Sequence, residues 1–125
     1  MEKSGYNNLR LHYKIWFTDA EGKGLLGDGK WKILKAIDSE GSLVAACNML
    51  GITYRRTWND LKSIEKRLGF ALLEKNRGGI DGGSTTLTVE GQRLIAAFDH
   101  FHENMDLIIQ QHFQKLIQEL SPEIK

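Results

Sequence analysis

Cysteine and proline each occur once in these 125 residues, and no apolar run approaches the ~18 residues that a bilayer span requires. With Cys47 alone, neither an internal disulfide nor a four-cysteine zinc site can form. Its neighbours Val44, Ala45, Ala46 and Leu50 mark it as a small packed apolar residue rather than a reactive thiol. The segment Met1 to Asn8 lacks the apolar centre of a secretory signal, so no membrane partner is expected and the cytoplasm is the compartment indicated. The histidines, His12, His100, His102 and His112, offer no pair four residues apart on a helix, so neither a metal nor another cofactor is expected. No local grouping of serine, histidine and acid stands out, so no catalytic residue is assigned and no enzyme is expected.

Net charge is also slight, at +1, but it is unevenly spread. Lys30 to Arg77 carries ten cations against five anions, whereas Gly78 to Lys125 carries three against seven. A basic middle joined to an acidic tail suggests that the middle meets a polyanion and the tail does not.

Hydrophobic patterning predicts a mainly α fold with small β elements. Leu9, Leu11, Tyr13, Ile15 and Phe17 alternate with more polar residues as in a half-buried strand, and Asp19-Ala20-Glu21-Gly22 turns it toward a short return over Lys23 to Leu26. Three helices follow. Asp28 is read as the first cap, with Trp31, Leu34 and Ile37 on one face and Gly41 as the stop. Ser42 caps the second, which presents Leu43, Ala46, Cys47 and Leu50 and leaves through Gly51. Thr53 caps the third, whose apolar face is Tyr54, Thr57, Trp58, Leu61, Ile64 and Leu68, and Gly69 ends it. Only Gly51 and Ile52 separate the second helix from the third cap, a connection short enough to force a helix-turn-helix crossing. Phe70 to Leu73 reads as a strand, Asn76 to Ser84 as a glycine-rich loop and Thr85 to Leu87 as its return: a wing. Thr88 then caps a last helix running to about Glu119. The expected division is a winged helix-turn-helix with its N-terminal β-hairpin over 1-88 and a long C-terminal dimerisation helix over 89-125.

The third helix carries a second, polar stripe at Arg55, Asn59, Lys62 and Lys66, pointing away from its apolar face. Cations suit phosphates, and Arg and Asn can form paired hydrogen bonds to purine edges in the major groove. Lys75 and Arg77 flank the loop Gly78-Gly79-Ile80-Asp81-Gly82-Gly83, whose glycines, Gly79 and Gly82 among them, allow backbone to approach a phosphate. The same loop imitates a nucleotide-binding P-loop, but it lacks the lysine and does not open a helix, so that reading is rejected. On the last helix Leu94, Phe98, Phe101, Met105, Ile108 and His112 form a near-heptad seam, with Ile109, Phe113, Leu116 and Leu120 as a second. One seam is expected to cover the domain and the other a second subunit.

With these pieces assembled, the chain resembles the N-terminal DNA-binding domain of ModE-type molybdate-responsive transcription regulators, which share a winged helix with LysR-type regulators. The resemblance runs from about Leu9 to about Phe98. It is carried by Ala36-Ile37-Asp38-Ser39-Glu40-Gly41-Ser42-Leu43, by Gly51-Ile52-Thr53-Tyr54-Arg55-Arg56-Thr57-Trp58, by the wing glycines and by Leu87-Thr88-Val89-Glu90-Gly91. It implies that Thr53, Tyr54, Arg55, Arg56 and Asn59 belong to a recognition helix, that Lys75, Arg77 and the glycines belong to a wing, and that the long helices pair in a homodimer. Ile80-Asp81 departs from the family pattern and sets an anion at the wing tip. The regulators continue into molybdate-binding domains that these 125 residues do not contain, so molybdate binding by these residues is not expected, and a separate sensor protein is carried as one candidate partner. The leading reading is sequence-specific double-stranded DNA binding by a homodimeric transcription regulator. The alternative is a protein-interaction module that keeps the fold and acts through a partner regulator.

Overall fold

The computed structural model describes residues 5–76 and 84–121. Arg77 and the wing loop, with Gly79 and Gly82, lie outside the described residues. After a 3-10 turn at Gly5–Asn8 come β1 (Trp16–Thr18), β2 (Gly24–Gly27), α1 (Asp28–Glu40), α2 (Leu43–Leu50), α3 (Tyr54–Leu68), β3 (Leu73–Asn76), β4 (Ser84–Leu87) and α4 (Val89–Leu120). The architecture is mainly helical, with two antiparallel two-stranded sheets, β1-β2 and β3-β4. Contacts divide the chain into one unit over Lys14–Phe98 and another combining Met1–Tyr13 with Asp99–Lys125.

Within Lys14–Phe98 the N-terminal hairpin is shorter than its alternation predicts. The strand expected from Leu9 to Phe17 is confined to Trp16–Thr18, because its partner β2 is only four residues long and passes directly into α1. Phe17 pairs with Leu26 and Trp16 with Gly27, with a bulge between Phe17 and Thr18. Gly27 is required by crowding: a Cβ there would lie 2.5 Å from the Trp16 Cβ. Gly27, not Asp28, is also the residue that caps α1, and Asp28 becomes the first helical residue, its carboxylate accepting from the Ile15 N–H at 3.3 Å. A carboxylate there also suits the positive end of the helix.

The helix stops fall where the glycines are. Gly41, Gly51 and Gly69 all adopt positive φ, the left-handed exit that a side chain disfavours. Ser42 Oγ accepts the Ala45 N–H at 2.9 Å and so fixes the start of α2. Leu34, Ile37, Leu43, Leu61 and Leu72 are fully buried and bring α1, α2, α3 and the approach to β3 onto one core. Each such side chain contributes about 1.5–3 kcal/mol by leaving water. Cys47 is buried in the same cluster.

The second hairpin begins later than expected: the strand read over Phe70 to Leu73 runs instead over Leu73–Asn76, and pairs Leu73 with Leu87 through Asn76 with Ser84. The segment just before it is committed elsewhere. Thr88 Oγ1 donates to the Ala71 carbonyl at 2.8 Å and accepts the Gly91 N–H at 3.0 Å, and the Thr88 N–H donates to the Leu72 carbonyl at 2.9 Å. The backbone groups of 71–72 thus receive the start of α4 rather than a strand. Phe98, seven residues past Gly91, is 2% exposed, its ring 5.6 Å from that of Phe17 and 5.2 Å from that of Trp31. The expected dimer seam is corrected at this position: Phe98 fills the core of its own chain.

Within the other unit, the Tyr13 ring stacks 6.1 Å from that of His102, whose Nδ1 lies 3.1 Å from a carboxylate oxygen of Asp106. Met105, Ile109 and Phe113 are half-buried, whereas Phe101, Leu107, Ile108, Leu116 and Leu120 are exposed. No helix among the described residues is long and apolar enough to cross a membrane.

Candidate DNA-binding surface

The candidate surface is built on α3, and the turn preceding it sets how that helix is presented. Gly51 turns the chain at φ 70°, and the Ile52 N–H returns to the Cys47 carbonyl at 3.0 Å, closing off α2. Thr53 is the N-cap of α3, as its position suggests, but its side chain makes no capping bond. Its carbonyl is used instead, accepting from the Thr57 N–H at 3.1 Å and the Thr57 hydroxyl at 2.7 Å. The Thr53 side chain is therefore left on the exposed surface at the helix entrance.

Thr57, Leu61, Ile64 and Glu65 form the buried face of α3. Opposite them Arg55, Arg56, Asn59 and Lys66 are exposed, while Lys62 is half-buried. Tyr54, expected on the apolar face, is 40% exposed, and its ring stacks on Trp58 at 6.5 Å and 13°. Lys75 is exposed on β3. Among the described residues no ion pair engages Arg55, Arg56 or Lys66.

Three other charges on this helix have structural work. Lys62 Nζ lies 3.1 Å from Glu65 Oε1. Arg67 reaches the first hairpin, donating to the Gly24 carbonyl at 2.7 Å and lying 3.5 Å from Asp19. The Asp19 carboxyl is held below its ordinary 3.8 chiefly by the Lys23 N–H, with help from the Glu21 N–H and Arg67 against the opposing effect of desolvation. Asp60 pairs with Lys30 of α1 at 3.8 Å. The Arg67 and Asp60 contacts orient α3 against the hairpin and α1, leaving the Arg55–Asn59–Lys66 side outward.

What two side chains of this helix do is not evident from residue spacing alone. Glu65, by type an ordinary surface anion, is buried and accepts the N–H groups of Leu72 at 2.7 Å and Leu73 at 2.8 Å. Burial pushes this carboxyl up, but the two N–H bonds and Lys62 outweigh burial and leave it below its ordinary 4.5. Its position is the available signal, since it lies four residues after Leu61 and three before Leu68 on the apolar face. Trp58, expected as simple core, does more. Its half-buried ring carries Lys62 Nζ at 4.6 Å and Lys75 Nζ at 4.7 Å, so it gathers cations from α3 and β3.

A short-turn helix pair, an outward basic and amide-bearing stripe on its second helix, and a following β-hairpin together define a winged helix-turn-helix. The family model described as bacterial regulatory helix-turn-helix protein, lysR family, matches residues 29–92, and the chain belongs to that family. The family is one of DNA-binding transcription regulators, not a class of enzymes.

The relatives that the chain resembles carry a narrower name. It is 35% identical over 68 residues to the transcriptional regulator ModE of Haemophilus influenzae, a match covering 54% of this chain and 27% of that protein. It is 34% identical over 67 residues to the DNA-binding transcriptional dual regulator ModE of Escherichia coli strain K12, covering 54% and 26%. The molybdenum transport protein ModE of Azotobacter vinelandii is 30% identical over 73 residues, covering 58% and 27%. The chain thus spans about a quarter of the length of these relatives.

Proposed function

We propose that this chain binds double-stranded DNA sequence-specifically as a homodimeric transcription regulator of the ModE type. The observation that carries the reading is the exposed side of α3, where Arg55 and Asn59 stand one turn apart near the helix entrance and Lys66 follows two turns beyond Asn59. In a helix-turn-helix the entrance of the second helix meets base edges, and cations further along or on a wing meet phosphates. Thr53, Tyr54, Arg55, Arg56 and Asn59 accordingly form the base-reading end. Lys62, Lys66, Lys75, Arg77 and the wing glycines Gly79 and Gly82 hold the backbone. Dimerisation is assigned to α4 through Phe101, Met105, Ile108 and His112, beyond Leu94 and Phe98, the two seam residues that pack on or in the core of their own chain.

The test compares variants on a selected site and on random duplex over a range of salt. Arg55→Ala or Asn59→Ala should cost about 1–3 kcal/mol on the selected site and much less on random DNA. Lys66→Ala or Lys75→Ala should weaken both alike and shallow the salt dependence by about one unit for each phosphate left without its cation. Equal weakening on both DNAs in the Arg55 and Asn59 variants would reduce α3 to a backbone clamp.

DNA binding by these 125 residues is independent of molybdate. The support is that the similarity to ModE regulators falls on the helix-turn-helix and covers about a quarter of their length. Titration of DNA binding with and without micromolar molybdate checks this, and a large change in affinity would overturn it.

A further inference from the structure

We propose that Trp58 is a positioning residue for the DNA grip: its indole holds the Lys75 ammonium of β3 against α3, so that the strand's cation and the recognition helix meet one stretch of phosphate backbone together. This rests on the DNA-binding reading above and goes beyond it by assigning the residue that joins the two DNA-facing elements.

Lys75 Nζ lies 4.7 Å from the centre of the Trp58 ring, within the range where the negative face of an indole attracts an ammonium. The ring is half-buried and packs against the core, so it is a fixed platform, and the Tyr54 ring stacked on it limits its rotation further. A lysine ammonium ends a long flexible stem, and ordering that stem on a phosphate costs conformational entropy. A lysine already confined over the ring meets part of that cost before DNA arrives.

The arrangement also shows how a second ammonium is tolerated on the same ring. Lys62 Nζ stands 4.6 Å from the ring centre and 3.1 Å from Glu65. The Glu65 carboxylate offsets the Lys62 charge and so weakens the repulsion that Lys75 meets. Glu65 also accepts the Leu72 and Leu73 N–H groups at the start of β3. The strand bearing Lys75 is therefore tied to α3 twice, through its backbone by Glu65 and through its side chain by Trp58.

The experiment measures binding of the full chain to a random duplex at several salt concentrations, with a thermal melt of each protein. The proteins are the unaltered chain, Trp58→Phe, Trp58→Leu, Lys75→Met, and each Trp58 variant combined with Lys75→Met. Trp58→Leu should weaken binding roughly three- to tenfold, since the Lys75 stem must then be ordered during binding rather than before it. It should also shallow the salt dependence by about 0.9 if one phosphate is released with it. Trp58→Phe, which keeps a ring face, should recover most of both. In the Lys75→Met background neither Trp58 variant should weaken binding further, because Lys62 keeps its Glu65 partner.

Equal weakening in the Lys75 and Lys75→Met backgrounds, or an unchanged salt slope in Trp58→Leu, would overturn the proposal and make Trp58 only a packing residue. Should Trp58→Leu fail to fold, the partial weakening expected of Trp58→Phe, present with Lys75 and absent with Lys75→Met, decides the same question. Failure of the unaltered chain to bind any duplex overturns the DNA reading and this proposal together. Binding with purely additive variants overturns this proposal alone.

Discussion

At Glu65 a carboxylate is kept inside the protein because two backbone N–H groups, those of Leu72 and Leu73, need an acceptor there. Without it the chain between α3 and β3 would bury two unpaired donors. Glu65→Ala should therefore destabilise the fold by about 2–4 kcal/mol, near the upper range for single substitutions, as read by denaturant unfolding. Glu65→Gln keeps an acceptor oxygen and should cost only about 1 kcal/mol, the difference between a charged and a neutral hydrogen bond. The pH dependence follows from the direction of the shift. The folded carboxyl ionises below its ordinary 4.5, so its contribution is fully present above that pH and is lost as the pH falls through the folded value. Asp19, lowered from 3.8, acts in the same direction. Stability of the unaltered protein should fall below about pH 4.5, and Glu65→Gln should flatten part of that fall. An acid limb identical in the two proteins would assign the sensitivity elsewhere.

The elements differ in how plainly the sequence announces them, and the difference is physical. The helices are legible because their boundaries are written locally: Ser42 caps, and Gly41, Gly51 and Gly69 exit, without help from distant residues. The exposed Arg55–Asn59–Lys66 side is legible for the same reason, since helical spacing alone sets it opposite Leu61 and Ile64. The first strand is not. Alternation from Leu9 to Phe17 marks a possible face, but a strand also needs a partner, and β2 supplies one for three residues only. Tyr13, one of the alternating residues, stacks on His102 of α4 instead. Glu65 and the cation-bearing role of Trp58 are hidden because both depend on β3, a tertiary neighbour that residue spacing within α3 does not reveal.

The seam on α4 illustrates the same limit at its sharpest, because a heptad on one helix says that something covers it without saying what. Phe98 is covered by Phe17 and Trp31, whereas Phe101 and Ile108 remain 41% and 47% exposed. Under the homodimer proposal these two are the side chains to alter. Phe101→Asp with Ile108→Asp should halve the mass seen in sedimentation at micromolar concentration, because each places an unpaired charge in an apolar contact. The helix content should hardly change, since both residues are exposed in the single chain. An undiminished dimer would move the interface off this face. The entrance of α4 offers an independent check on packing: a Cβ at Gly91 would fall 2.5 Å from the Leu72 carbonyl oxygen, so Gly91→Ala should destabilise by about 1–3 kcal/mol despite Ala's better helix propensity.

At the scale of the whole molecule, the proposals about α3 and α4 make one joint claim about DNA. A single helix-turn-helix reads a few base pairs, and two copies related by a twofold axis read an inverted repeat whose halves lie a whole number of helical turns apart. Joining the two heads makes the second binding event intramolecular, which raises affinity without any new contact. Once a preferred site has been selected from random duplexes, the unaltered protein should bind it about a hundredfold more tightly than a duplex carrying one half-site. Inserting five base pairs between the halves turns one half-site to the opposite side of the duplex and should remove that gain. The Phe101→Asp, Ile108→Asp protein keeps Arg55 and Asn59 and should bind all three duplexes equally, at the half-site affinity. A monomeric variant that still prefers the full site would mean that the two halves are read by one chain, and the division of labour between α3 and α4 would have to be abandoned.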